Sequence, residues 1–196
     1  MHTVLFGGLF NPVHLGHIAL AEASLKEFNL DRVIFIPSNN PPHKLLKNSY
    51  NTHRYNMLKI AIKSKKYFEV SKYELNKKYI SYTCDTINYF KKKIKEDKIY
   101  FLIGSDWLSE IHTWKLGVKL FDLCTFIIGV RHGFDCKILS DDIKNKVLFL
   151  KSKIPDISSS FIRQQIKDGK NVNNLVPEGV YEYIIKHKLY RADEIS

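Results

Sequence analysis

The chain has 196 residues, 44% of them hydrophobic, and a formal net charge of +11. That length suits one domain with at most a small appendage, and that apolar fraction excludes a disordered chain. No apolar run approaches the roughly 18 residues of a membrane span, and Cys84, Cys124 and Cys136 form no CxxC pair, which argues against a disulfide framework or a cysteine-rich zinc site and for a cytoplasmic, reducing location.

Val4-Leu5-Phe6 reads as a first buried strand. From His17 onward Ile18, Ala21, Leu25 and Phe28 recur at spacings of three and four, which predicts a helix with one apolar face. Val33 to Ile36 is a second continuous apolar strand, closed by Pro37. Strand, helix and strand in such short order form a βαβ unit with parallel strands. Residues 38–49 read as a polar loop containing Pro41 and Pro42. A helix is expected over 52–65, a short strand at Phe68–Val70, a helix over 83–95 and strands over 99–103, 125–130 and 147–150. Helical patterns over 159–167 and 177–187 close the chain. With no internal repeat and no low-complexity linker, residues 1–196 read as a single α/β domain. The expected architecture is a Rossmann-like, doubly wound parallel sheet with a small helical C-terminal part.

Ligands of such sheets sit at the carboxyl ends of the strands. The unusual residues of this chain fall at those ends. Gly7 to His17 follows the first strand, and Ser38 to Lys44 the second. Gly104-Ser105-Asp106 follows the fourth, and Arg131-His132-Gly133 the fifth. Gly7 and Gly8 lack a Cβ and would let a ligand press on the backbone. The helix behind them points a positive dipole end at the same spot, which suits phosphate. His14 and His17, three apart around a helix start, are placed to face one side and donate hydrogen bonds to a phosphoryl transition state. A metal pair lacks a third ligand nearby, and two structural histidines are the plain alternative.

The basic charge attracts anions. Only five of the 31 basic residues are arginine: Arg32, Arg54, Arg131, Arg163 and Arg191. They stand out because a planar guanidinium binds phosphate bidentately and lysine cannot. The run Lys91-Lys92-Lys93 with Lys95 reads as a solvated helix face, or alternatively as a nucleic-acid patch.

Gly8-Leu9-Phe10-Asn11-Pro12-Val13-His14-Leu15-Gly16-His17 matches the GxFxPxHxGH signature of the nucleotidyltransferase superfamily. Further stretches resemble one family within it, the bacterial nicotinate-nucleotide adenylyltransferases. These are Ile36-Pro37-Ser38 with Pro41-Pro42-His43-Lys44, His53-Arg54, Ser81-Tyr82-Thr83 with Asp85-Thr86, Gly104-Ser105-Asp106 with Trp114, and Ile157-Ser158-Ser159-Ser160 with Ile162-Arg163. The resemblance spans nearly the whole chain. Leu9 and Asn11 stand where the family usually has Thr and Asp, and Ser160 where Thr is usual. Lys77, Tyr79 and Ile80 replace an Arg, a Gly and often a Pro, which bears on the acceptor pocket.

The resemblance implies adenylyl transfer from ATP to nicotinate mononucleotide, giving nicotinate adenine dinucleotide and pyrophosphate in NAD biosynthesis. No protein nucleophile is needed, because the acceptor phosphate is already ionised; the protein aligns two anions and neutralises the growing charge. Mg²⁺ would arrive with ATP, held by phosphates and water, with no metal site of the protein's own. The catalytic set is then His14, His17, Lys44 and Arg163. ATP is expected against Gly7, Gly8, Phe10, His14, His17, Gly104, Asp106, Ile157, Ser158, Ser159 and Arg163. Ser158 and Ser159 would cap a helix and bind phosphate oxygens, and Asp106 would accept from the ribose. The acceptor nucleotide is expected against Asn11, Ser38, Lys44, Tyr82, Thr83, Trp114 and Arg131, with Trp114 stacked on the pyridine ring. The N-terminus of the helix beginning at Thr83 favours the carboxylate of nicotinate over a carboxamide. The alternatives are the same chemistry on nicotinamide mononucleotide or phosphopantetheine and, more remotely, a basic nucleic-acid-binding module. The implied partners are small molecules, with no nucleic acid and no membrane.

Overall fold

The computed structural model describes residues 1–39, 49–108, 111–130 and 141–191. Six strands form one sheet: β1 (His2–Gly8), β2 (Arg32–Pro37), β3 (Phe68–Val70), β4 (Lys98–Gly104), β5 (Thr125–Gly129) and β6 (Val147–Leu150). Their order is β3-β2-β1-β4-β5-β6, and every pairing is parallel. The order reverses between β1 and β4, which opens a crevice at their carboxyl ends. Sheets covered on both faces need apolar residues on both, so their strands read as unbroken hydrophobic runs. Here Val4 and Phe6 enter the core on one side of β1, and Leu5 enters the core on the other.

The first core packs α1 (Leu15–Phe28), α2 (Ser49–Ala61), α5 (Ser159–Lys167) and α6 (Val180–Lys186). The second packs α3 (Thr83–Lys93) and the 3₁₀ turns Ile111–Thr113 and Gly117–Asp122, following a further turn at Ser105–Trp107. A short α4 (Asp141–Lys144) precedes β6. The α/β expectation is met, with corrections at the edges. The first helix begins at Leu15 rather than His17, because His14 is its N-cap. The second runs Ser49–Ala61 rather than 52–65, and the last Val180–Lys186 rather than 177–187. The 3₁₀ turns and α4 were not foreseen; three to six residues are too few to show a helical period.

The amino ends of the strands are tied by a polar cluster. Arg32 donates to Glu69 (3.0 Å) and Asp97 (2.9 Å), and its Nε donates to Thr3 Oγ1 (2.8 Å). Arg32 is thus a structural arginine at the end of the sheet opposite the crevice. Lys91, Lys92 and Lys93 form the exposed last turn of α3, where cations complement the helix dipole. Lys91 donates to the Leu123 carbonyl at 2.6 Å. No helix among the described residues is long and apolar enough to cross a membrane.

Candidate active site

A cavity of about 310 Å³ opens at the switch point of the sheet. Its walls are the carboxyl ends of β1 (Phe6, Gly7, Gly8), β4 (Ile103, Gly104) and β5 (Gly129, Val130), the start of α1 and the start of α5. Every residue expected on the ATP side lines it: Gly7, Gly8, Phe10, His14, His17, Gly104, Asp106, Ile157, Ser158, Ser159 and Arg163. Asn11, expected on the acceptor side, lines it too. Residues far apart in sequence meet here because parallel strands deliver all their following loops to one edge.

His14 is buried, and its ring stacks on that of His17 with centroids 3.6 Å apart and planes 29° off parallel. The i and i+3 spacing therefore puts both imidazoles on one side. The His14 N–H donates to His17 Nδ1 at 3.2 Å. His17 thus stands at the third helical position, where a capping box usually has Glu or Gln. With Nδ1 accepting, the neutral ring holds its proton on Nε2 and presents a donor there. Behind His17 stands Phe10, whose ring lies 5.0 Å from it and packs edge-on against Phe6 and Phe35. Phe10 is 1% exposed at φ 49°, so this loop residue is an interior anchor that borders the cavity.

The two glycines border the cavity and also serve the packing behind it. A Cβ on Gly7 would lie 3.0 Å from the Phe101 ring, and one on Gly8 3.1 Å from the Phe10 ring. Their missing side chains make room for the protein's own aromatics as well as exposing backbone to the cavity. The α1 terminus is likewise partly used: the Leu15 N–H donates to Leu175 (3.0 Å) and the His17 N–H to the His14 carbonyl (2.9 Å).

At the opposite wall, Ser158 is the N-cap of α5 and its Oγ accepts from the Phe161 N–H at 3.1 Å. The Ser159 hydroxyl, expected on phosphate, donates instead to the Pro12 carbonyl at 2.9 Å. That bond docks α5 onto the turn after β1. The helix still brings its first-turn N–H groups and positive dipole end to the cavity. Arg163 donates to the Asn11 carbonyl (2.7 Å) and to Ser160 Oγ (3.2 Å). These bonds orient the guanidinium while leaving three of its five N–H donors for an anion.

Tyr82 is the N-cap of α3, without a side-chain cap bond. Lys115 Nζ lies 4.5 Å from the centre of the Tyr82 ring and 3.6 Å from Asp85 Oδ1. Trp114 meets Trp107 edge-to-face at 5.7 Å, and it is Trp107 that reaches the cavity wall. Ser38 is turned to structure: its hydroxyl donates to the Gly8 carbonyl at 3.1 Å. Ser38, Tyr82, Thr83 and Trp114 are outside the cavity lining. Lys44 and Arg131 lie outside the described residues.

Arg54, one of the five arginines that stand out in the sequence, is turned to the protein's own backbone. It is fully buried and donates to the Leu9 carbonyl (2.7 Å), the Ser38 carbonyl (2.5 Å) and Asn51 Oδ1 (2.5 Å). Burial pushes it down to about 10, still cationic at neutral pH. It ties the loops after β1 and β2 together. Asn39 extends the tie by donating to the Lys77 carbonyl at 2.6 Å. Lys77 is itself buried, with its Nζ 4.2 Å from the centre of the Tyr73 ring and no hydrogen-bond partner among the described residues. Sequence reasoning also missed Leu20, Gly129 and Pro155 in the lining. A Cβ on Gly129 would run into Leu20 Cδ1, so a larger residue there requires the Leu20 side chain to shift.

Comparison with known proteins follows this geometry. The cytidylyltransferase-like family matches residues 5–165. A Clostridium botulinum (strain Okra / Type B1) protein named probable nicotinate-nucleotide adenylyltransferase is 40% identical over 202 residues, 97% of this chain and 100% of that one. A Clostridium kluyveri protein of the same name is 39% identical over 198 residues, 95% of this chain and 98% of that one. Among solved structures, Plasmodium falciparum nicotinic acid mononucleotide adenylyltransferase complexed with NaAD shares the fold, with a TM-score of 0.77. That likeness covers 96% of this chain and 97% of the other, at 23% identity. A putative nicotinate-nucleotide adenylyltransferase from Vibrio parahaemolyticus matches with a TM-score of 0.71 over 98% and 97% of the two chains, at 20% identity.

Proposed function

This chain belongs to the nicotinate-nucleotide adenylyltransferase family, and from that premise we propose that it acts as a single domain that moves the adenylyl group of ATP onto nicotinate mononucleotide. The products are nicotinate adenine dinucleotide and pyrophosphate. The observation that carries the reading is the meeting of the stacked His14–His17 pair with the α5 terminus and Arg163 around one cavity.

The acceptor phosphate attacks the α-phosphorus of ATP in line, forming a new P–O bond as the bond to the departing pyrophosphate breaks. The nucleophile arrives ionised, so the enzyme's work is alignment and charge neutralisation. His17, with Nε2–H as donor, and His14 beside it hydrogen-bond the phosphates as charge builds. The N-terminus of α5 and the Arg163 guanidinium receive the leaving pyrophosphate. Asp106 accepts from ribose hydroxyls of the adenosine. Lys44 and Arg131 complete the phosphate contacts in this reading. Among the described residues no group of three or more His, Cys, Asp or Glu could hold a metal by itself, so Mg²⁺ would be held by the triphosphate and water and would supply charge neutralisation there.

For the acceptor, α3 starts at Thr83 without a side-chain cap, and Lys115 lies over Tyr82. Both features favour an anionic ring substituent, and the paired Trp107 and Trp114 supply aromatic surface beside it. Pyrophosphate release with ATP and Mg²⁺ tests this, comparing nicotinate and nicotinamide mononucleotides at equal concentration. A strong preference for the acid is expected. Equal rates would remove the account of acceptor choice, and no release with either would overturn the reaction.

A further inference from the structure

A second cavity, of about 320 Å³, lies behind the first. One wall is a stripe of α5: Ser160, Arg163, Gln164 and Lys167 stand at i, i+3, i+4 and i+7 and so share one helix face. The opposite wall carries Tyr190 and Arg191. Three lining side chains are therefore cations, and no carboxylate lines the cavity among the described residues. Asp168, next along α5, accepts from Gln164 Nε2 at 2.7 Å.

Asn11, Ser160 and Arg163 line both cavities, so the two compartments share one wall. That wall is braced. Arg163 donates to the Asn11 carbonyl, and the Tyr190 hydroxyl donates to Asn11 Oδ1 at 2.6 Å. In the reaction proposed above, pyrophosphate is released beside Arg163. The cationic lining continues from Arg163 to Lys167, one turn further along α5, and to Arg191. The geometry points to the second cavity as a diphosphate site that takes up pyrophosphate on its way out. The inference rests on the proposed reaction for its biological meaning, while the binding it asserts is separately measurable.

The test is the double variant Lys167→Ala/Arg191→Ala, whose two side chains are exposed and outside the reacting cavity. Calorimetric titration of the unaltered protein with inorganic pyrophosphate should show binding that weakens with salt. The double variant should bind it about three- to tenfold more weakly, as expected for two exposed cations. Product inhibition by pyrophosphate should weaken by the same factor while KM for ATP stays within about twofold. A parallel rise in the ATP KM would overturn the exit site by assigning these cations to the β- and γ-phosphates of bound ATP. Unchanged pyrophosphate binding in the double variant would overturn it outright. If the unaltered protein binds pyrophosphate through these residues yet transfers no adenylyl group, the reaction assignment fails and the site stands.

Discussion

Replacing Arg54 by Met removes a cation that never reaches the cavity, and the structure sets the scale of the loss. The side chain is fully buried and makes three hydrogen bonds, to the Leu9 and Ser38 carbonyls and to Asn51. A hydrogen bond to a charged group nets about 1.5–3 kcal/mol. The three cannot simply be added, because burying the guanidinium itself costs free energy that the variant recovers. Methionine fills much of the volume but leaves two backbone carbonyls without donors, each costing about 1–3 kcal/mol. The expected destabilisation is about 3–5 kcal/mol, or a fall in Tm of roughly 6–20 °C for a chain of this size. Urea unfolding measures the first and calorimetry the second. Arg54→Lys should recover only part of it, since one ammonium cannot span three acceptors held in a fork. Because the Leu9 and Ser38 loops both flank the site, the variant should also raise KM for both substrates. A loss below about 1 kcal/mol with unchanged kinetics would refute the claim that Arg54 ties the loops.

His17 caps α1 and, in the proposed reaction, also contacts phosphate. His17→Ala should lower kcat about 10²–10³-fold and cost about 1 kcal/mol of stability through the lost cap, whereas His17→Gln should lose the rate but keep the stability, because Gln serves in a capping box. Equal instability of the two variants would remove the capping role. At Gly129, an added methyl runs into Leu20, so Gly129→Ala should cost about 1–3 kcal/mol and Leu20→Ala should relieve part of it; a double-mutant cycle with no coupling would contradict the contact. Asp97 gives a pH dependence. Burial alone raises its carboxyl, but the Thr3 hydroxyl and the Arg32 guanidinium outweigh burial and hold it below the usual carboxylate range. The folded value lies below the unfolded one, so its stabilisation is complete above the ordinary carboxylate pKa and is lost as pH falls through the folded value. The gap in urea midpoint between the native chain and Asp97→Asn should therefore be wide at neutral pH and close as pH falls below the ordinary carboxylate range; a gap independent of pH would refute this.

The parts of the protein written locally were legible in the sequence. Strands buried on both faces must be unbroken apolar runs, and Val4-Leu5-Phe6 and Val33 to Ile36 are such runs. Once the strands are parallel, every loop that follows one reaches the same edge, so the loops after β1 and β4 could be grouped before any coordinates, while Ile157 to Arg163 were placed beside them only by the family resemblance. The helix starts at Thr83 and Ser159 fall where the sequence put them, and for α5 the local signal is a cap, Ser158, standing before the apolar period.

Tertiary structure alone decided the rest, and the reason is that a residue's letter does not say what it packs against. Arg54 and Arg163 look alike in sequence, yet one is fully buried on backbone carbonyls and the other borders two cavities. Trp107 and Trp114 are seven apart, and only the course of the 3₁₀ turns puts Trp107 on the cavity wall. The space left by Gly7 and Gly8 is defined by Phe101 and Phe10, and that beside Gly129 by Leu20. Two of those three neighbours lie on other elements of the fold. The sequence by itself determined the strands, the starts of α3 and α5 and the chemistry-bearing loops, because those depend on near neighbours. Which side chains face a ligand and which brace the backbone depends on contacts between distant segments, and these exist only once the sheet has assembled.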